Sequence, residues 1–460
     1  MRSKIRWSVV LIGVIALAAT SLPASADHAK RPNTKNIDAR GHSVQIGTFA
    51  VPDGQRVISS DLAFQGDLAF QGNYDGLRVI DISDPDNPDL VAFPKCNGDQ
   101  GDLVVWDDIL VRAWNAPRGE VRNCDGQPVL VGFEGIHIFD ISDPTDPSVI
   151  DVDGPDLGLE LECGAHTATA AGVDDGDLIV YANNSSSVGC VDGEQENDDP
   201  EGDFMDVIAI PLANPAGASL INRVELAGPA GEGTRTGCHD VGVHMATNMA
   251  VGACNDTINV WDITDRRDPV LVNTITEAGV EDPPGRWHSG TFSNDGSVIL
   301  AGWEPGGGGQ AECQATDDDV KKSMFFYDTA TGEKLGQWVL PRVQTGSQNC
   351  TIHNFNVVAG ADRDIVVSGN YQAGTWVTDF SDPSNPETVA WSDPKTLGPG
   401  PFCSQTNPPG CQLGGAWSSY WYNDVIYESD IETGLNLFTM NDDTFAGSAT
   451  LTRLNPQTQE

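Results

Sequence analysis

Basic residues are scarce in this chain: 25 Lys and Arg stand against 67 Asp and Glu, a formal charge of −42 at pH 7. Such a surface repels nucleic-acid phosphates and anionic membranes, which makes both poor partners. The acidity reads either as cation binding or as a soluble coat suited to salty or extracellular conditions. Apolar runs are also few. Beyond the N-terminus no stretch is long and apolar enough to cross a membrane as a helix, and no segment shows convincing 3.6-residue periodicity. The familiar catalytic signatures are missing too: no GxSxG elbow, HExxH, Walker loop, GxGxxG, EF-hand or CxxC occurs. Those absences leave no ready-made nucleophile, nucleotide cradle or thiolate metal site.

What is abundant is turn chemistry. Fifty Gly and 28 Pro break the chain into short β-rich runs separated by Gly, Asn, Asp and Pro, which predicts an all-β fold. Residues 1–26 read as a signal peptide. Arg2, Lys4 and Arg6 precede the apolar run Val9–Ala18, and Ala24-Ser25-Ala26 offers a cleavage site. The run is short for an anchor, so a cleaved signal and a secreted protein, free or held at the cell surface, are expected, with no membrane insertion afterwards. All ten cysteines follow it, an even count that reads as disulfides in an exported protein.

Four segments repeat one another: 76–92 (GLRVIDISDPDNPDLVA), 135–151 (GIHIFDISDPTDPSVID), 257–272 (TINVWDITDRRDPVLV) and 374–390 (GTWVTDFSDPSNPETVA). Each is an apolar strand ending in Asp, a turn rich in Asp and Pro, and a second strand. Weaker copies fall at 204–212, 323–329 and 434–440, so equivalent positions recur every 51 to 69 residues. Seven such units of four short strands predict a β-propeller of seven blades, although the degenerate copies leave six or eight open. A single propeller domain is expected over 41–455, behind a flexible polar segment at 27–40. Ser43–Val51 or Ser448–Leu454 would supply the strand that closes the ring. The Asp residues in every turn are expected to be structural, since Asp bonds its own backbone there.

The strand motif, standing here as LRVIDISDP, IHIFDISDP, INVWDITDR and TWVTDFSDP, resembles the LVIVD repeat. That resemblance implies a surface or secreted propeller without an assigned biochemical role, and it carries no catalytic residues.

Long connections at 115–132, 183–203, 304–322 and 393–415 all emerge on one predicted face. The cysteines fall there as well. Cys96–Cys124, Cys163–Cys190 and Cys238–Cys254 suit pairs within a blade, Cys313–Cys350 a bridge between neighbours, and Cys403–Cys411 a closed loop; spacing alone leaves the connectivity open. Four consecutive units open their innermost strand with histidine: His166, His239, His288 and His353. Equivalent positions converge at the channel mouth, where four imidazoles with Glu304, and with Asp240 beside them, suit Zn, Cu or Fe. The competing role for each is a hydrogen bond that locks one blade to the next. His42, His137 and His244 lie on other strands or faces and are expected to be structural. Trp287, Trp303, Trp417, Trp421 and Tyr420 suggest an aromatic wall at the mouth or ordinary blade packing. Two functions follow: a binding module taking a protein, glycan or small molecule on the long-loop face, or a metal-dependent oxidoreductase or hydrolase using the histidines.

Overall fold

A computed structural model describes residues 33–45, 58–98, 100–114, 121–152, 157–183, 204–226, 237–254, 256–280, 287–305, 313–342, 348–393 and 414–460. The signal segment, the loops at 184–203 and 394–413, and Cys190, Cys403 and Cys411 lie outside them.

The described residues are almost wholly β, arranged as small antiparallel sheets in a propeller-like array. The first sheet is a meander of Ser59–Gln65, Leu68–Asn73, Gly76–Asp81 and Asp89–Ala92. The second uses Leu103–Trp106, Ile109–Trp114, Gly135–Asp140 and Ser148–Val149. The third uses Thr167–Asp174, Asp177–Asn183, Phe204–Pro211 and Ser219–Glu225. Val241–His244 opens the fourth, which continues through Met249–Cys254, Thr257–Asp262 and Val270–Ile275. Trp287–Phe292, Val298–Trp303, Ser323–Asp328 and Lys334–Val339 form the fifth.

The structure corrects the expected count, for five blade-sized sheets stand apart and not seven. Strands 354–393 and 416–440 share one nine-stranded sheet. The link between its halves is the parallel pairing of Asn354 with Ser418, where two innermost strands approach closely enough to bond directly.

The repeat motif shapes each sheet locally. Asp81, Asp140, Asp262 and Asp379 each accept the backbone N–H two residues on, at 2.8 to 3.0 Å. The carboxylate thus closes a turn at the sheet's outer end, and the hydroxyls of Ser83, Ser142 and Thr264, together with these backbone bonds, hold the Asp81, Asp140 and Asp262 carboxyls below the usual range. Between sheets, apolar side chains of the inner strands interleave. Val104, Val111 and Ile138 of the second sheet pack with Ala168, Val180 and Ile208 of the third. Packing is close at the hub: a Cβ placed on Gly242 would lie 2.1 Å from Gly290 O of the next sheet.

Both chain ends depart from expectation. Residues 33–40 are strand and not a flexible leader: Asn33–Lys35 pairs with Trp391–Asp393, and Ile37–Val44 pairs with Gly434–Met440. One face of Ile37–Val44 is buried, with Ile37, Gly41 and Ser43 inward, so this polar segment has an edge to cover. Its strand lies earlier than Ser43–Val51, and residues 46–57 lie outside those described. The C-terminal strand also goes elsewhere. Arg453–Leu454 pairs with Phe64–Gln65 of the first sheet, and the propeller extends past 455 because Thr458–Gln459 runs parallel to Val243–His244 of the fourth.

Candidate metal centre

The innermost strands begin at one mouth of the channel, and their first residues meet there. His166, His239, His288 and His353 are all buried and follow one another in file. Successive ring centroids are 4.4, 3.6 and 4.0 Å apart. His166 Nε2 and His239 Nε2 are 2.9 Å apart. Two buried carboxylates attend the row. Asp240 Oδ1 lies 3.3 Å from His239 Nδ1, and Asp240 Oδ2 lies 3.9 Å from His288 Nδ1. Glu304, just past Val298–Trp303, sets Oε2 4.0 Å from His288 Nε2 and Oε1 3.8 Å from His353 Nε2. Blade-locking is present as well: His353 Nδ1 bonds Trp417 O, and Thr169 donates to Val241 O at 2.8 Å.

Other candidates divide clearly. Near the mouth, Asn183 donates to Thr167 Oγ1 and Asn370 closes a turn with Gly374. His42 bonds Asn436, His244 bonds Thr247, and His137 packs against the Trp114 and Phe133 rings. Trp287, Trp303, Trp421 and Tyr420 are buried among blade residues. Of the expected aromatic wall only Trp417 lines the cavity, with its ring 4.9 Å from His353. Disulfides join Cys96–Cys124, Cys238–Cys254 and Cys313–Cys350, and Cys163 is also disulfide-bonded. Cys96 and Cys124 therefore offer no thiolate to the nearby His137. Disulfides of this kind form in oxidising, extracellular-type compartments.

Beside the histidines lies a small recess lined by Asp61, Asp102 and Asp240. Sequence inspection missed the first two. The signal was there: Ser60-Asp61-Leu62, Gly101-Asp102-Leu103 and His239-Asp240-Val241 occupy the same place in the first, second and fourth sheets. A search for histidine alone passes over units where Ser or Gly holds that first position. Tyr371 was also missed. It adopts a left-handed φ of 44°, stands 4.4 Å from the His353 ring and donates its hydroxyl to Glu304 Oε1 at 2.5 Å.

Electrostatics bind the acids together. Asp61 accepts Leu62 N–H, Tyr420 Oη and Gln457 Nε2 at 2.6 to 2.9 Å. Asp102 accepts Ala168 N–H at 2.7 Å through Oδ2. Among the described residues its Oδ1 meets no hydrogen-bond donor. Burial, then the charges of Asp61 and Asp240, pushes the Asp102 carboxyl well above the usual range. Burial pushes Asp240 up to about 8, with the Asp61 charge adding to it.

This sets a pH dependence. A carboxyl whose pKa is raised on folding keeps its proton where the unfolded chain, near pKa 3.9, has lost it. Its contribution is complete below about pH 4 and is lost as pH rises toward the folded value, at up to about 1.4 kcal/mol per pH unit. Metal-free protein is expected to lose more stability between pH 5 and 7 than its Asp102→Asn variant in urea unfolding. Parallel losses in the two proteins would contradict the raised carboxyl.

Together these features define a β-propeller-like repeat protein with a histidine- and carboxylate-lined channel mouth. The LVIVD repeat family model matches residues 58–93 and 359–390. No curated protein matches the chain.

Proposed function

We propose that this propeller is an exported metal-dependent enzyme that acts on a small molecule at its channel mouth. The observation that carries this reading is the file of four buried imidazoles with His166 Nε2 and His239 Nε2 2.9 Å apart. Two nitrogens each about 2.0–2.1 Å from one ion, at roughly a right angle, are separated by about that distance. An unmetallated row this dense is costly for any member that becomes protonated, because like charges then face each other in a buried site.

Imidazole and carboxylate donors without thiolate suit Zn, Cu or Fe. A bound ion would supply Lewis-acid or redox chemistry, which is the division between hydrolase and oxidoreductase. The chain's own groups have separable tasks. Asp240 orients His239 through Nδ1, as carboxylates behind metal-binding histidines do. Asp102, its carboxyl raised by burial, holds a proton beside the histidines. Trp417 forms an apolar wall on an otherwise polar recess.

Export is supported by the signal-like residues 1–26 and by the disulfides. No helix among the described residues is long and apolar enough to cross a membrane. A binding module for a protein or glycan remains the second reading. It rests on long loops whose greater part lies outside the described residues, so the histidine file takes precedence.

Metal analysis of untagged protein is the test. Stoichiometric Zn, Cu or Fe is expected, at least tenfold depleted in a folded His239→Ala variant. Wild-type protein that binds none of these ions, even when loaded, overturns the reading.

A further inference from the structure

We propose that the histidine file holds two metal ions with His288 between them, and not one ion at the centre of four imidazoles. This rests on the metal-centre reading above and refines it.

Among the described residues the ligand atoms at the mouth fall into two sets of three. One is His239, Asp240 and His288; the other is His288, Glu304 and His353. Within each set the ligand atoms lie within 4.8 Å of one another. The sets share His288 and nothing else. A single four-histidine ion, with bonds of about 2.0–2.1 Å, requires all four nitrogens within about 4 Å of one another. Instead His239 and His353 fall in different sets, His166 in neither, and the rings run in file.

His288 is placed to serve both sides. Its Nδ1 faces Asp240 Oδ2 at 3.9 Å, and its Nε2 faces Glu304 Oε2 at 4.0 Å. An imidazole that gives up its remaining ring proton to solvent offers one nitrogen to each of two cations. Each ion then gains one carboxylate, Asp240 on one side and Glu304 on the other, so charge is shared between the two positions. His166 stays outside both sets and touches only His239, through the 2.9 Å contact between their Nε2 atoms. Tyr371 holds Glu304 by Oε1 and leaves Oε2 toward His288. Ser289 Oγ now bonds His288 Nδ1 at 2.6 Å and Asp240 Oδ2 at 3.0 Å. When an ion takes that gap, the hydroxyl can still donate its one proton to His353 O, 2.6 Å away.

The experiment titrates untagged, chelator-stripped full-length protein with Co²⁺ alone and counts bound ions after gel filtration. Two per chain are expected, and Asp240→Asn and Glu304→Gln should each halve that number. With Cu²⁺, the integrated paramagnetic resonance signal should fall on adding the second equivalent, because an imidazolate bridge couples the spins. Saturation at one ion overturns the two-ion site while leaving the metal centre standing. No ion at all overturns both readings. Two ions whose signal simply doubles overturn the bridging role of His288. The wild-type titration depends on no variant, and circular dichroism confirms that each variant is folded.

Discussion

Removal of residues 455–460 is expected to cost several kcal/mol and to open the channel end opposite the histidines. This short segment crosses beneath the hub and touches sheet after sheet. Asn455 both accepts from Val105 N–H and donates to Val105 O, at 2.8 and 2.9 Å. Thr458 Oγ1 donates to Ala170 O at 2.7 Å. Val243 and Met245 donate to Gln457 O and Gln459 O at 2.8 and 2.9 Å. Gln459 also bonds Phe292 in both directions, and Gln457 reaches Asp61. Each bond contributes about 1 kcal/mol net, and each buried group left without a partner costs about 1–3. Their sum, though not strictly additive, is a large part of the 5–15 kcal/mol that holds a typical domain folded. Urea unfolding of the truncated chain checks this, and a midpoint equal to that of the full chain would show that the tail is dispensable. Loss of the Gln457 donor also leaves Asp61 short of one bond, so the truncation should disturb the cavity even where folding persists.

That tail shows what the sequence conceals. Asn-Pro-Gln-Thr-Gln-Glu has no strand pattern, and it pairs only because the innermost strand Val241–His244 presents an unpaired edge to the channel. The polar segment 33–44 posed the same problem at the other end. Its one-sided burial was legible as alternation at Ile37, Gly41 and Ser43, but the lack of long apolar side chains hid it. Repeated features were far easier to read. The Asp turns announced the outer ends of the strands, and His166, His239, His288 and His353 announced the inner ends, because a repeat brings equivalent positions to one radius. Asp61 and Asp102 shared that register and were legible in the same way. Tyr371 was not. Its place depends on a left-handed backbone in a turn held by Ala416, a contact made 45 residues later in the chain. Sheet fusion was equally out of reach, since one residue pair, Asn354 with Ser418, decides it.

Reduction of the disulfides is expected to produce the largest loss of all. The Cys96–Cys124, Cys238–Cys254 and Cys313–Cys350 bridges close loops of 28, 16 and 37 residues. Loop-closure entropy assigns each about 3–4 kcal/mol, so the three together approach 10 kcal/mol. That is comparable with the whole stability of a typical domain. The bridges also stand beside the ligands: Cys238 directly precedes His239, and Cys350 lies three residues before His353. Cys313–Cys350 further ties the fifth sheet, which carries His288 and Glu304, to the nine-stranded sheet that carries His353. Opening it frees the two halves of the histidine file to separate, so bound metal should be lost before the last sheet unfolds. The check is paired melting and metal retention in the presence and absence of reductant, with thiol titration to prove that the bonds have opened. A fall in melting temperature on the order of 10 °C is expected, with metal release at lower temperature than loss of β signal. Unchanged melting after complete reduction would mean that the packed blades carry the fold alone. Because the longest loop is the one that joins two ligand-bearing sheets, a Cys313→Ala/Cys350→Ala variant should weaken metal retention more than Cys96→Ala/Cys124→Ala, although loop entropy ranks the two bridges nearly equal.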